Sequence, residues 1–138
     1  MNNFILEYYQ GIQDGSIVVG KWIKLFYEYI IKGLENQSFY FNQKKANKAI
    51  RFIENFCHHS EGRNDLLKLE LWQKATISVI FGIVDEKEIR VFREVLIVEG
   101  RKNGKTLLAS GIMECCVYTD GEYGAKVFCV APKLDQAD

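Results

Sequence analysis

Three observations in the sequence predict an α/β fold. Apolar residues recur at helical spacing through the first half of the chain, as in residues 5–12 and 46–56. Two short continuous apolar runs lie in the second half, at residues 95–98 and 127–131, and such runs are typical of parallel strands covered on both faces. A glycine-bounded loop and a helical stretch lie between them. We therefore expect a helical N-terminal section followed by one βαβ unit with a right-handed crossover.

The helical section divides into four predicted helices. The first stops near Gly15, the second ends by Gly33, the third begins after Asn42 as N-cap, and the fourth covers about residues 69–80. The apolar stripes expected to face the core are, in helix order, Ile5, Tyr8, Tyr9 and Ile12; Trp22, Phe26, Tyr29 and Ile30; Ala46, Ala49, Ile50, Ile53 and Phe56; and Leu69, Trp72, Thr76, Val79 and Ile80.

The opposite face of the third helix is basic and polar. It consists of Lys44, Lys48, Arg51 and Asn55. A solvated helix face is the favoured interpretation, and contact with DNA or a neighbouring subunit is the alternative. The chain as a whole has 18 acidic and 18 basic residues, so its net charge of zero provides no global field for nucleic acid.

Composition further restricts the class of protein. A chain of 138 residues with 48% apolar residues can fill the core of one domain. The N-terminus lacks a basic leader and no apolar run approaches membrane-spanning length, so we expect a soluble cytoplasmic protein. The four cysteines do not have the spacing of a disulfide framework and are expected to be reduced packing residues. Cys57-His58-His59 has no second ligand pair at zinc-finger spacing, so we predict no metal site there.

The loop at residues 100–106 predicts phosphate binding. It ends in Gly-Lys-Thr, follows an apolar run and precedes a helical stretch at residues 107–118. Glycine lets the backbone approach phosphate closely, and a helix N-terminus provides free N–H donors. We expect Lys105 to reach the β- and γ-phosphate oxygens and the Thr106 hydroxyl to complete a Mg²⁺ shell. The strict pattern has glycine where this chain has Glu99, so a basic turn after a strand is the alternative.

A second segment imitates a catalytic strand. Residues 79–86 are apolar and end in Asp85-Glu86, as in a strand that carries a Mg²⁺-binding aspartate and a catalytic glutamate. The segment comes before the loop, although proteins with such a phosphate-binding loop have this strand after it. We interpret it as a helix end with an acidic loop and assign no catalytic acid.

Four segments together resemble one family. The Arg-Lys-Asn-Gly-Lys-Thr of the loop is similar to the Walker A segment of the large terminase subunits of tailed phages, the ATPases that drive DNA into the capsid. Residues 69–73 look like the adenine-side segment of that family. Residues 120–131 resemble its second strand with the preceding turn, and residues 134–137 its Gln-Ala segment. Upstream, residues 39–42 and the following helical residues 49–54 also fit. The resemblance therefore covers about residues 8–137, nearly the whole chain, and follows the order of the family.

The resemblance implies ATP and Mg²⁺ as cofactors and a partial P-loop NTPase fold. The residues that it assigns to the nucleotide are Gly100, Arg101, Lys102, Asn103, Gly104, Lys105 and Thr106, with Trp72 and Gln73 on the adenine side. Lys105 and Arg101 are the catalytic candidates, Arg101 near the γ-phosphate, and Thr106 is the Mg²⁺ candidate. Expected partners are viral double-stranded DNA, the portal protein, the small terminase subunit and further copies of the full-length chain. The resemblance implies the host cytoplasm and no membrane.

Trp72 and Gln73 also have simpler interpretations. Trp72 fits the apolar stripe of its helix, so core packing is as plausible as contact with a base. Gln73 lies off that stripe and would otherwise be a surface residue. Its amide offers two donors and one acceptor, which suits the N6 and N7 edge of adenine.

The resemblance also predicts the domain organisation. Residues 1–84 would be the helical section with the adenine-side segment, and residues 85–138 the first βαβ unit of the ATPase domain. A P-loop sheet has about five strands, so we expect the chain to be the truncated N-terminal part of a larger ATPase. We expect this part to be inactive by itself. The alternatives are another P-loop protein, such as a helicase- or kinase-like fragment, and a non-enzymatic domain that binds DNA or a partner.

Overall fold

The first half of the chain is helical, as predicted. A computed structural model describes residues 3–57, 66–100, 104–119, 121 and 126–128. The helices are α1 (Phe4–Asp14), α2 (Lys21–Glu35), α3 (Gln43–Phe56), α4 (Leu71–Gly82) and α5 (Lys105–Tyr118). The strands are β1 (Tyr40–Phe41) and β2 (Ile83–Val84), which pair antiparallel.

Side-chain caps explain where the first helices begin and end. Asn3 Oδ1 accepts from the backbone N–H of Ile5 at the start of α1, and Gly15 ends that helix with φ of 80°. Asn42 Oδ1 accepts from the backbone N–H of Lys45 at 3.0 Å, which confirms Asn42 as the N-cap of α3. Gly15 and Asn42 are boundaries that the sequence predicted, and Asn3 is a further N-cap of a residue type that favours this position.

The core is built around α4, which packs against both α1 and α3. One hydrophobic cluster joins α3, α4 and α5 and the other joins α1, α2 and α4, and Trp72 borders both. The fully buried large side chains are Ile5, Ile30, Ile53, Ile77, Ile83 and Leu108. Because α4 contributes to both clusters, it is buried on nearly every side.

The face that α2 buries differs from the prediction. Ile30 is buried as predicted, but Trp22, Phe26 and Tyr29 are 79%, 38% and 57% exposed. Tyr27, which was not predicted, is buried instead. The reason is the close approach at Gly33, where an added Cβ would lie 2.1 Å from the ring of Phe39. That contact turns the Tyr27 face inward. The prediction was also wrong for the last residue of the α3 stripe, since Phe56 is 67% exposed.

The predicted parallel strands are the main difference. Residues 92–100 form no strand, and Leu96 and Val98 are 89% and 86% exposed. Residues 127 and 128 are exposed and not in a strand, and residues 129–131 lie outside the described residues. A strand requires a hydrogen-bonded neighbour, and none pairs with residues 95–98 within the described part of the chain. The fold is therefore α-rich with a small antiparallel sheet, and a βαβ unit is not shown.

The segment at residues 79–86 is a helix end followed by an acidic loop, as predicted. Helix α4 ends at Gly82, and the next two residues form β2. Asp85 Oδ1 accepts from the backbone N–H groups of Lys87 and Ile89, at 2.8 and 2.9 Å. The aspartate therefore closes a turn. Among the described residues, no helix has the length and apolar character required to cross a membrane.

Candidate functional site

The N-terminus of α5 is open. Gly104 is its N-cap and has the left-handed conformation, with φ of 73°. No side chain caps this end within the described residues, and the first turn contains no acidic residue. The backbone N–H of Leu108 donates to the Gly104 carbonyl at 2.9 Å and so makes the first helical bond. The N–H groups before it, with the positive end of the helix dipole, can therefore receive an anion.

Two of the predicted site residues begin this helix and are exposed. They are Lys105 and Thr106. Lys105 Nζ donates to the backbone carbonyl of Glu99 at 3.4 Å, a long hydrogen bond that an incoming anion can replace. Gly100 is also exposed. The predictions for Arg101, Lys102 and Asn103 fall outside the described residues.

Glu99 occupies the position at which the strict loop pattern has glycine. Its Oε2 is buried and has no hydrogen-bond partner within the described structure. Burial raises the pKa of Tyr8 in α1, and the nearby Glu99 carboxylate raises that pKa further. The loop therefore starts with an inward-facing negative charge packed near α1.

Gln73 connects α4 to this loop. Its side chain is only 7% exposed, so it is not the surface residue that the helix pattern alone indicated. Gln73 Oε1 accepts from the backbone N–H of Glu70 at 2.9 Å, and the Glu70 side chain accepts from the Gln73 backbone in return. A Cβ at Gly104 would lie 3.5 Å from Gln73 Nε2. The structure thus brings Gln73 of the predicted adenine-side segment close to Gly104 of the predicted phosphate loop.

The sequence analysis missed the role of Glu70. Glu70 and Gln73 form a capping box at the start of α4, so the helix begins at Leu71, two residues later than predicted. An acidic residue three positions before a glutamine, ahead of an apolar helix, is a signal that sequence could have provided. The capping box fixes one half of the Gln73 amide and leaves its nitrogen directed at Gly104.

Trp72 has a structural role. It is partly buried and packs against both hydrophobic clusters, and its carbonyl accepts from the Thr76 hydroxyl at 2.8 Å. Core packing, one of its two interpretations, therefore describes what the side chain does in this structure. Contact with a base stays a prediction.

Helix α5 is held in place by α3. Leu108, Gly111 and Cys115 face inward. A Cβ at Gly111 would lie 3.2 Å from the Ile53 side chain, so the two helices approach closely at that point. The orientation of the open N-terminus therefore depends on the α3–α5 interface.

A comparison with protein families identifies the family of the segment that contains this site. Residues 71–138 match the model of the family described as terminase large subunit, ATPase domain. These residues belong to that family. Neither the curated proteins nor the solved structures contain a match to the chain.

The terminase segment begins at the first residue of α4 and includes the whole candidate site. Gln73, Gly104, Lys105 and Thr106 all lie inside it. The family is an ATPase, and ATPases use nucleotide and Mg²⁺ in general. Helix α3 lies before the matched segment in the chain and packs against it, since Ile53 of α3 lies close to Gly111 of α5.

The cysteines pack as thiols where the structure describes them. Cys57, Cys115 and Cys116 are free, and Cys129 lies outside the described residues. Burial raises the pKa of Cys57 to about 11, helped by the Glu114 carboxylate. Burial also raises the pKa of Cys115 to about 12. His58 and His59 are likewise not described, and no group of three metal-binding side chains occurs among the residues that are.

Proposed function

We propose that this chain binds ATP and Mg²⁺ at the N-terminus of α5, as part of a motor that couples ATP hydrolysis to packaging of viral double-stranded DNA. One observation supports the proposal above the others. The buried amide of Gln73 lies against Gly104, at the open end of a helix, within residues 71–138 of the terminase ATPase family.

The phosphates would be held by backbone and side chain together. The N–H groups at the start of α5 have no side-chain cap in the described structure, and the left-handed Gly104 lets the backbone turn without a clash. Lys105 is exposed and gives up only one long hydrogen bond when it moves to a phosphate oxygen. Bound Mg²⁺ would neutralise phosphate charge, and the Thr106 hydroxyl would complete its shell.

The remaining roles follow from the resemblance. Arg101 would lie near the γ-phosphate, and the backbone of residues 100–104 would surround the phosphates. Gln73 would contact the adenine edge through its amide nitrogen as donor and through the second lone pair of its amide oxygen as acceptor, since Glu70 uses only one lone pair. Trp72 would support Gln73 from the core. By resemblance, the full-length motor would assemble with further copies of itself, the portal protein and the small terminase subunit.

We further propose that residues 95–98 form a strand once neighbouring strands of an ATPase domain pair with them. Leu96 and Val98 are almost fully exposed in the present structure, although their apolar character suits a buried sheet. Burying a side chain of this size stabilises a fold by about 1.5–3 kcal/mol. Pairing would therefore be favoured as soon as a partner strand is present.

Calorimetric titration of ATP, with and without Mg²⁺, tests the site. Lys105→Ala should weaken ATP binding by roughly 1.5–3 kcal/mol, the contribution of a charge-assisted hydrogen bond. Its thermal stability should barely change, because Lys105 is exposed. Lys24→Ala, which removes another exposed lysine on α2, is the matched control and should bind ATP as the parent does.

Equal ATP affinity in the parent and Lys105→Ala would contradict the proposed site. An equal loss in Lys105→Ala and Lys24→Ala would mean that only the overall charge matters. Binding that is lost in Lys105→Ala alone supports the site.

A further inference from the structure

A basic surface cavity lies at the far end of α5 from the loop. Its volume is about 780 Å³, and it lies between α3, the end of α5 and the segment that follows β2. Among the described residues, its charged lining consists of Lys45, Lys48, Arg90, Arg93 and one acid, Glu88.

A second cavity continues this surface along α3. It shares Lys48 and Thr119 with the first and adds Lys44 and Arg51. We use the name basic strip for the six cations of the two cavities, which are Lys44, Lys45, Lys48, Arg51, Arg90 and Arg93. The cationic face of α3 that the sequence indicated is therefore one half of a larger surface.

The acid in the lining does not neutralise the basic strip. Glu88 is already engaged, since its Oε2 lies 3.9 Å from Lys45 Nζ and its Oε1 accepts from Asn42 Nδ2 at 3.3 Å. Lys48 Nζ donates to the carbonyl of Thr119 at 2.6 Å, which orients the ammonium group without cancelling its charge. Among the residues that the structure describes, six cations and one carboxylate line the two cavities, so cations outnumber carboxylates on this surface.

The position of Lys44 and Lys45 at the start of α3 is unfavourable unless an anion binds. The first turn of α3 contains no acidic residue, and Lys44 and Lys45 occupy it. Cations at a helix N-terminus oppose the helix dipole and destabilise the helix. An anion placed here would interact with the dipole and the side chains at the same time.

The Arg90 guanidinium in the basic strip is held in position by contacts with two neighbouring side chains. Its guanidinium lies 5.5 Å from the centre of the Phe81 ring, and its Nη1 lies 3.8 Å from Cys116 Sγ. Stacking on an aromatic ring holds the plane of a guanidinium while its outer N–H groups can still donate. Arg93, three residues further on, is exposed and lines the same cavity.

We propose that the basic strip binds the phosphodiester backbone of double-stranded DNA. From Lys44 to Arg51 the strip extends about 10 Å along α3 at 1.5 Å per residue, and the segment after β2 widens it. Duplex DNA carries one charge per ~1.7 Å of axis, so a backbone of this length presents several phosphates. A single phosphate cannot contact all six cations. The repeating polymer can.

The basic strip is separate from the candidate nucleotide site. Thr119 is the C-cap of α5 and Gly104 is its N-cap, so the length of the helix, about 20 Å at 1.5 Å per residue, lies between them. The choice of DNA as the polymer rests on the proposed packaging function. The position of the site rests on the charges and distances of the strip.

Fluorescence anisotropy with a labelled duplex, at several salt concentrations, tests this proposal on the full chain. The double variant Lys48→Ala/Arg93→Ala should bind about tenfold or more weakly at low salt. The slope of log affinity against log salt should decrease by about 2, since each lost phosphate contact removes roughly 0.9. Lys24→Ala/Lys32→Ala, with two cations removed from α2, is the control and should change neither affinity nor slope. Circular dichroism confirms folding of both.

Three outcomes would overturn the proposal. The first is unchanged duplex affinity in Lys48→Ala/Arg93→Ala, and the second is an equal loss in the α2 control. The third is ATP binding that persists in Lys105→Ala but is lost in Lys48→Ala/Arg93→Ala, because the strip would then take free nucleotide. Failure of the nucleotide-site proposal would appear as unchanged ATP affinity in Lys105→Ala. That result is independent of the duplex affinity of Lys48→Ala/Arg93→Ala, so the two proposals can fail separately.

Discussion

Gln73 and Gly104 lie far apart in the sequence but are adjacent in the structure, where a Cβ at position 104 would come within 3.5 Å of Gln73 Nε2. Gln73 is fixed by its capping box with Glu70, and Gly104 is fixed by the start of α5. The Gln73 amide therefore links the start of α4 to the start of α5 in the candidate site. The following predictions use this contact and its surroundings.

Gly104→Ala should weaken both folding and ATP binding. A left-handed conformation costs a residue with a side chain about 1–2 kcal/mol, and the new Cβ would also contact the Gln73 amide. Thermal unfolding and ATP titration measure the two effects. Gly15→Ala is a matched control, because Gly15 has φ of 80° with nothing within 4 Å of its Cβ position. It should lose similar stability and keep its ATP affinity. A Gly104→Ala protein that binds ATP like the Gly15→Ala protein would argue against a site at this glycine.

Gln73→Ala should reduce the preference for ATP over GTP, because guanine presents the opposite donor and acceptor edge. The change also removes one hydrogen bond of the capping box, which costs about 0.5–1.5 kcal/mol of stability. Glu70→Ala removes the same capping box and leaves the amide in the protein, so it separates the two effects. Competition titrations with both nucleotides measure the preference. If Glu70→Ala loses as much preference as Gln73→Ala, or if the parent binds both nucleotides equally, Gln73 does not read the base.

Glu99→Gln should tighten ATP binding. The carboxylate Oε2 is buried without a partner in the described structure, and its negative charge precedes the loop expected to hold phosphates. Removing the charge while keeping the shape should raise affinity by roughly three- to tenfold, where tenfold corresponds to about 1.4 kcal/mol. Glu94→Gln neutralises an exposed acid in the same segment and serves as the control. Equal gains in the two variants would show a general charge effect.

The protein should lose stability above about pH 9. Burial raises the pKa of Cys57 to about 11 and that of Cys115 to about 12, from an ordinary thiol value of 9.0. A thiol whose pKa is raised by folding stabilises the fold fully below pH 9 and loses this contribution as the pH rises toward its folded pKa. Urea unfolding between pH 8 and 11 measures the slope.

Cys115→Ala should flatten that slope, since it removes one of the two buried thiols. Cys116→Ala is the control, because the Cys116 side chain is partly exposed. The pKa of Tyr27 is also raised by burial, so a phenol contribution is expected only at the upper end of the range. A slope that is the same in Cys115→Ala and the parent would exclude the thiols as its cause.

Local sequence determined the helices and their ends. Asn3, Asn42 and Gly15 act through hydrogen bonds or backbone conformations within a few residues, so their role as caps could be read from the chain. The start of α5 at Gly-Lys-Thr and the ending of α4 before an acidic turn follow from the same local chemistry. The family resemblance was also present in the sequence, since residues 71–138 match the terminase ATPase domain.

Tertiary structure decided which faces are buried and what lies beside the loop. The inward face of α2 depends on one close approach between Gly33 and Phe39, which no periodicity encodes. Residues 95–98 have the composition of a buried strand, but a strand forms only with a neighbour, and none pairs with them in the described residues. The contact of Gln73 with Gly104 and the joining of Lys48 to Arg93 in one cavity each require segments far apart in the chain to pack together. Sequence specifies interactions over a few residues, whereas these pairings depend on how the helices are arranged around α4.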